Sequence, residues 1–316
     1  MADTFTTYEA IGNREDLAND IYNISPTTTP FISAVNRNTA TAVNHEWQTD
    51  ALATPANNAK REGAEAATTV STPTVRLGNF TQISDKVPKV SRTQRQVDSA
   101  GRSDEMLYQI MKMGKEIKND MEFALLANKA KVTGNEDSTA RELAGIESWI
   151  ADNVSLGAGG TAPTGDGTDV RGAGTPRALT EGFLKSVLAD IWDEGGDPDL
   201  IMCGSFNKQA MSAFVGGGTS GPAQRTVDGN SKSVTAAIDV YVSDFGSLKV
   251  VPARHMVQSS MLVLQSDMFC LSELSTIQST PLAKSGDYDR ELLNVEYTLE
   301  AKNAKSSGIM ADLTVA

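Results

Sequence analysis

The feature that most constrains the fold of this chain is a long amphipathic pattern between residues 104 and 132. Ser103 and Asp104 can cap its start, and Gly134 can end it. The pattern predicts one helix of about 40 Å, far longer than the ~11–12 residues of an average helix. Small and apolar residues recur there at intervals of three and four, which places them on one face: Leu107, Ile110, Gly114, Ile117, Met121, Ala124, Leu125 and Asn128. The opposite face is predicted to be charged and carries Lys112, Lys115, Glu116, Lys118 and Glu122.

Residues 1–42 are predicted to form an extended N-terminal arm. Residues 14–24 carry one apolar stripe, too short to be stable alone, formed by Leu17, Ile21 and Ile24. Further on, Thr29-Pro30 predicts a helix start with proline at the first helical position. An arm with isolated apolar stripes needs a surface to lie on, either its own or that of a neighbour.

Residues 43–90 are predicted to form a long β-hairpin. Residues 43–49 alternate in polarity, with His45 and Trp47 on one side, as in a half-buried strand. Residues 74–90 fit a return strand with a bulge at Gly78-Asn79. The intervening stretch has little to bury, and a loop of this length in a compact domain is either functional or disordered. Its tip carries one exposed charged group, Lys60-Arg61-Glu62.

Residues 142–290 are predicted to form a separate α/β unit. A glycine-rich irregular loop over 157–174 precedes a helix over 179–194, and short strands follow at 200–203, 240–242, 248–251, 261–265 and 268–271. The chain closes with strands over 292–300 and 308–315, which are predicted to pair with each other across a short turn.

Composition excludes several classes of protein. The formal net charge is -12, so the chain lacks the basic surface that binds nucleic acid or anionic lipid. No apolar run approaches the ~18 residues of a membrane span, and the N-terminus has no signal-peptide pattern. Two cysteines, Cys203 and Cys270, cannot form a disulfide framework or a cysteine-rich zinc site, and they indicate synthesis in a reducing cytosol.

No motif in the sequence predicts a catalytic, cofactor-binding or metal-binding residue. A phosphate-binding loop, a zinc-protease motif and a nucleophile elbow are all missing. We interpret Asp244-Phe245-Gly246 as a turn between strands, and Asp166-Gly167-Thr168-Asp169 as a solvated loop rather than a calcium site. The two histidines, His45 and His255, are interpreted as structural, and both cysteines as small buried apolar residues.

Several stretches together resemble one family of tailed-bacteriophage major capsid proteins with the Hong Kong 97-type fold. The likeness covers essentially the whole chain, and its most specific part is the Asn-Ile-Ser-Pro-Thr-Thr-Thr-Pro-Phe stretch at residues 23–31. Weaker parts are Gly-Asn-Arg-Glu-Asp-Leu at 12–17, Glu-Trp-Gln-Thr-Asp at 46–50, Gly-Ile-Glu-Ser-Trp-Ile at 145–150 and Glu-Tyr-Thr-Leu-Glu at 296–300. The resemblance implies an α+β shell protein without catalytic residues.

The resemblance also implies a division of the chain into the parts of that fold. Residues 1–42 would be the N-terminal arm and 43–90 the extended loop that lies over an adjacent subunit. The spine helix would belong to a peripheral domain over 91–141, and 142–280 would supply the axial domain. Residues 281–316 would be the closing strands of the peripheral domain.

The partners follow from the same resemblance. Copies of the chain would form homo-hexamers and homo-pentamers in an icosahedral virion shell, assembled in the host bacterial cytoplasm around DNA that is not specifically bound. The chain begins directly with its arm, so a separate scaffolding protein is expected, besides a portal. A decoration protein is a further candidate partner. No membrane and no cofactor are implied. Two alternatives stay open: an encapsulin-like compartment shell and an α/β hydrolase-type enzyme.

The arm and the hairpin are where contacts between subunits are expected, because neither can bury itself within one compact molecule. The predicted inter-subunit residues are Leu17, Ile21, Phe31, Trp47, Lys60, Arg61 and Glu62.

Overall fold

The structure is a computed structural model, and it describes residues 25–66, 71–97, 101, 103–214 and 239–315. In chain order, its helices are α1 (Pro30–Ala34), α2 (Arg92–Gln96), α3 (Glu105–Leu125), α4 (Glu181–Asp193) and α5 (Ser205–Ser212). Its strands are β1 (Asn36–Thr39), β2 (Asn44–Thr49), β3 (Val75–Phe80), β4 (Gln82–Lys86), β5 (Lys89–Ser91), β6 (Val154–Ser155), β7 (Leu200–Cys203), β8 (Val240–Ser243), β9 (Gly246–Pro252), β10 (Met261–Leu264), β11 (Phe269–Pro281), β12 (Tyr288–Ala301) and β13 (Gly308–Met310).

The long helix α3 packs on a five-stranded sheet. Strands β1, β11, β12 and β4 follow one another across this sheet. Strand β5 pairs with the N-terminal end of β12. On the inner face of the helix, Ile117, Met121 and Leu125 are buried in one core with apolar residues of β11 and β12. Removing this apolar surface from water is the main stabilising term of the layer.

The predicted start of α3 is confirmed, and its predicted end is wrong. The Asp104 carboxylate accepts a hydrogen bond from the Met106 N–H at 2.8 Å, as a capping residue does. The helix stops at Leu125, before Gly134, because the following residues bond to other segments. The side chain of Asn128 exchanges two hydrogen bonds with the backbone of Arg171.

Two residues of α3 lie on the face opposite to the predicted one. Leu107, expected in the core, is 55% exposed, whereas Glu122, expected on the charged side, is fully buried. The physical reason is that the described part of the arm, from residue 25 onward, lies on the C-terminal half of the helix and covers Glu122 there.

The predicted hairpin is shorter than expected. Strands β2 and β3 pair in register from Asn44–Phe80 to Thr49–Val75. The rest of the predicted return strand forms β4 and β5, which pair with β12 instead and so belong to the sheet under α3.

A six-stranded mixed sheet, in the order β6-β13-β10-β7-β9-β8, forms the second unit. The face of α4 buries Leu184, Val187, Leu188 and Ile191 against it, as the sequence predicts. The predicted pairing of 292–300 with 308–315 is wrong, because β13 pairs with β10 and β6 while β12 stays in the other sheet. Within the described residues, no helix is long and apolar enough to cross a membrane.

The segment Gly145–Ile150 connects the two sheets and is buried along its whole length. A side chain at Gly145 would collide with the backbone carbonyl of Ala127, so this position needs glycine. The same segment supplies Trp149 to the core of the first sheet and Glu147 to a buried ion cluster described below.

Candidate interaction site

The base of the β2–β3 hairpin is held to the body of the same chain by a buried side chain, Asn79. Its amide donates hydrogen bonds to the carbonyls of Ala144 at 3.2 Å and Leu299 at 2.9 Å, and its oxygen accepts from the Ala144 N–H at 2.8 Å. Buried polar groups that are fully paired in this way fix one geometry. The sequence pattern around Asn79 predicts only a bulge and gives no sign of this anchor.

Two charged side chains add to this anchor. The Lys131 ammonium donates to the carbonyls of Gly78 at 2.7 Å and Asp166 at 2.9 Å. His45 Nε2 lies 3.1 Å from a carboxylate oxygen of Glu300 in β12. Burial raises the pKa of Glu300, but its hydrogen bonds with His45, Asn38 and Ser272 outweigh that and leave the pKa below its usual value.

Trp47 is half-buried, and its ring centroid lies 5.2 Å from that of Trp149. The side chain therefore packs against the body of its own chain, at the base of the hairpin. The expected contact of Trp47 with a neighbouring subunit stays a prediction.

The end of the hairpin is exposed. Every residue from 50 to 66 is exposed, and Leu52 is 99% exposed. The predicted contact residues Lys60, Arg61 and Glu62 all lie in this stretch. The hairpin thus has a fixed base and a charged end that its own chain leaves uncovered.

The described part of the arm is bound to α3 through Glu122. Its two carboxylate oxygens accept hydrogen bonds from the backbone N–H groups of Phe31 at 2.7 Å and Ile32 at 2.9 Å, at the start of α1. Burial raises the pKa of Glu122 to about 7, although these two donors act in the opposite direction.

This contact corrects the prediction for Phe31. The side chain is fully buried in its own chain, with its ring centroid 6.4 Å from that of Phe269, so no surface is left for a neighbouring subunit. Leu17 and Ile21, the other predicted contacts of the arm, lie outside the described residues.

A buried ion cluster joins three distant segments of the chain. The Arg171 guanidinium donates to Glu147 at 3.1 Å and to Asp312 at 3.0 Å, and all three side chains are at most 5% exposed. Burial raises the pKa of Glu147. The pKa of Asp312 is lowered because the backbone donors of Gly174 and Gly157, together with Arg171, outweigh its burial. Nothing in the sequence around these three residues predicts that their side chains are buried.

The cysteines and the Asp-Phe-Gly stretch, which were considered as catalytic or metal-binding groups, are structural parts of the fold. Cys203 and Cys270 are free and buried, as predicted, and burial raises the pKa of the Cys203 thiol to about 11. Asp244-Phe245-Gly246 is the turn between β8 and β9, as predicted. In the described part of the chain, no group of three or more His, Cys, Asp or Glu side chains is arranged to hold a metal ion.

The fold defined by these elements is that of phage capsid proteins. The chain is similar to a solved capsid subunit of cyanophage A-1(L), with a TM-score of 0.69, 14% identity and 98% of each chain covered. It is also similar to the capsid of a native GTA particle, with a TM-score of 0.64, 9% identity and 98% of each chain covered. The SrpI encapsulin of Synechococcus elongatus shares the fold at a TM-score of 0.56, with 12% identity and coverage of 100% of this chain and 98% of that one. The predicted α+β, Hong Kong 97-like class is confirmed.

The sequence places the chain more narrowly within that class. The match to the family described as SU10 major capsid protein extends over residues 2–314, and the chain belongs to that family. The major capsid protein of Escherichia phage Phieco32 is 28% identical over 341 aligned positions, which cover 97% of this chain and 96% of that protein. The chain is a structural protein of a phage virion capsid, which is built from many copies of it.

Proposed function

We propose that copies of this chain form hexamers and pentamers that close into an icosahedral shell around phage DNA, and that the hairpin end makes a contact between neighbouring subunits. The observation that carries this proposal is the contrast between a base fixed by Asn79 and Lys131 and an end that is exposed from residue 50 to 66. A fixed base directs the charged end of the hairpin outward. Complementary charge on a neighbouring subunit can then determine how the two subunits align more than how tightly they bind.

The two basic residues at the hairpin end provide the test. Replacing both, as Lys60→Glu and Arg61→Glu, reverses the charge of the end without touching the core. We expect the yield of closed shells, counted by electron microscopy, to fall at least about tenfold, since each ~1.4 kcal/mol of lost contact energy is worth that factor. Circular dichroism should show an unchanged fold.

The matched control keeps the charge and exchanges the side chains, as Lys60→Arg and Arg61→Lys, and it should assemble normally. Normal assembly of the charge-reversed variant would refute a role for these residues at an interface.

We propose that the chain acts without catalysis. This is supported by the burial of Cys203, which raises the pKa of its thiol to about 11, and by the capsid family itself. The α/β hydrolase alternative gains no support from any described site. The encapsulin alternative has support from the fold alone, whereas the matched family is one of phage major capsid proteins.

We propose that the net negative charge of the chain prevents strong contacts between the packaged DNA and the shell wall. A net charge of -12 repels phosphate at long range, and neutralising phosphates with basic side chains is what gives proteins affinity for DNA. Purified capsomers should therefore show no binding to duplex DNA in a mobility-shift assay at physiological salt. Tight binding would contradict this part of the proposal.

On the basis of the family resemblance, we also propose three partner proteins: a portal, a separate scaffolding protein and a decoration protein. The protein composition of purified proheads and virions, determined by mass spectrometry, decides which of them accompany this chain. Proheads that contain only this chain and a portal would remove the scaffolding protein from the proposal.

A further inference from the structure

A groove on α3 lies next to the point where the described part of the arm begins. Its volume is about 270 Å³, and residues 25–27 form one wall. The other wall comes from α3, from Tyr108, Met111, Lys112, Lys115, Glu116 and Asn119. The acidic residue among them, Glu116, is paired with Lys86 at 3.4 Å. The Asn119 amide donates to the Pro26 carbonyl at 2.9 Å, so the chain is fixed at one end of the groove.

The groove continues a face of α3 that the arm already covers. Met111, Lys115, Glu122 and Leu125 lie within about 80° of one another around a helix of 3.6 residues per turn. At the C-terminal half of this face, Glu122 is fully buried beneath the arm, and Leu125 is fully buried in the adjoining core. At the N-terminal half, Met111 is 61% exposed.

We propose that residues 14–24 of the same chain occupy this groove, with their apolar stripe against α3. The lengths agree, because these residues would span about 16 Å as a helix, and Asn119 is separated from Tyr108 by about 16 Å along α3. The direction agrees as well, since the chain enters the groove at Pro26.

The chemistry of the two surfaces is complementary. Leu17 and Ile21 supply the apolar side chains that would cover Met111 and the 55% exposed Leu107. The acidic residues beside the stripe, Glu15, Asp16 and Asp20, would face Lys112 and Lys115 at the rim of the groove.

In this arrangement Leu17 and Ile21 contact their own chain, whereas the sequence predicts that they contact a neighbouring subunit. It does not rest on the proposed role of the hairpin end, because it concerns another surface.

A disulfide test distinguishes the two assignments. The full chain carrying Ile21→Cys and Met111→Cys is oxidised after assembly, with Cys203 and Cys270 retained because both are buried. We expect most chains to form a cross-link within the chain, seen as a monomer of changed mobility on a non-reducing gel and confirmed by peptide mapping. The matched control combines Ile21→Cys with Phe123→Cys, since Phe123 is 62% exposed but about 120° away around α3.

Dimers linked through residues 21 and 111 would overturn the inference, because they would place the arm on a neighbouring subunit. Equal cross-linking at residue 123, or none at residue 111, would overturn it as well.

Limited proteolysis of the full chain provides a second readout that needs no introduced cysteine. Arg14 is the only site for trypsin among the first 24 residues. Met111→Glu should raise the rate of cleavage there about tenfold or more, because it replaces an apolar contact by an acidic side chain facing the acidic arm. An unchanged rate would contradict docking in the groove.

Discussion

Replacing Arg171 by Met should cost about 3–5 kcal/mol of unfolding free energy, the largest single-residue effect that we expect in this chain. The change keeps a long side chain but removes the cation that pairs with both Glu147 and Asp312, which are 0% and 5% exposed. Two buried carboxylates would then face each other without the cation between them. Asp312 would keep its backbone donors, whereas Glu147, whose pKa burial already raises, would either ionise at high cost or take up a proton. Urea unfolding of unassembled subunits, followed by tryptophan fluorescence, measures the loss.

Arg37→Met is the matched control for this variant. Arg37 lies 3.7 Å from Glu273, but its side chain is 60% exposed, and an exposed pair contributes at most about 1 kcal/mol. A second variant separates charge from packing. Combining Arg171→Met with Glu147→Gln and Asp312→Asn removes all three charges and should recover part of the lost stability. A loss below about 1 kcal/mol for Arg171→Met alone would show that the cluster does not hold the three segments together.

The ion cluster also shows where sequence reasoning reaches its limit. The pattern of α4 predicted its buried face residue by residue, because burial there depends on a local period of 3.6. The burial of Arg171 depends on Asp312, 141 residues away, and that of Glu122 on a backbone 91 residues away. A local pattern assigns such charged residues to the surface, as it did for Glu122.

The pairing of strands shows the same limit. The β8–β9 hairpin was predicted correctly, since both strands and their turn lie within a few residues of each other. Strands β4, β5 and β13 were predicted as extended segments, but their partners were wrong, because β12 and β10 compete for them from distant parts of the sequence. The most specific family motif, at residues 23–31, predicted the class of protein without revealing that Phe31 is an internal anchor.

The stability of the chain should depend on pH through Glu122, and Glu122→Gln should remove that dependence. The folded-state pKa is raised from 4.5 to about 7, so the folded chain holds this proton more tightly than the unfolded chain does. The stabilisation that comes from this tighter proton binding is fully present below pH 4.5 and is lost as the pH rises through about 7. From the two pKa values, the loss amounts to roughly 3 kcal/mol.

The comparison with Glu122→Gln isolates this effect from that of other carboxyl groups. Asp312 and Glu300 have lowered pKa values, so their stabilisation is lost in the opposite direction, as the pH falls. Urea unfolding at pH 4.5 and pH 8 should show wild type losing about 3 kcal/mol relative to Glu122→Gln over that interval. Glu116→Gln, on the exposed side of the same helix, should show no such difference beyond the ~1 kcal/mol of a surface ion pair with Lys86.

Amide hydrogen exchange shows whether the same carboxylate holds the arm. A glutamine at position 122 replaces one of the two acceptor oxygens by an NH2 group, so the N–H group of Phe31 or Ile32 that bonds to that oxygen loses its acceptor. We expect faster exchange at one of these two amides in Glu122→Gln, and unchanged exchange in Glu116→Gln. If the stability difference stayed constant between pH 4.5 and pH 8 and both amides remained protected, Glu122 would be neither the titrating group nor the anchor of the arm.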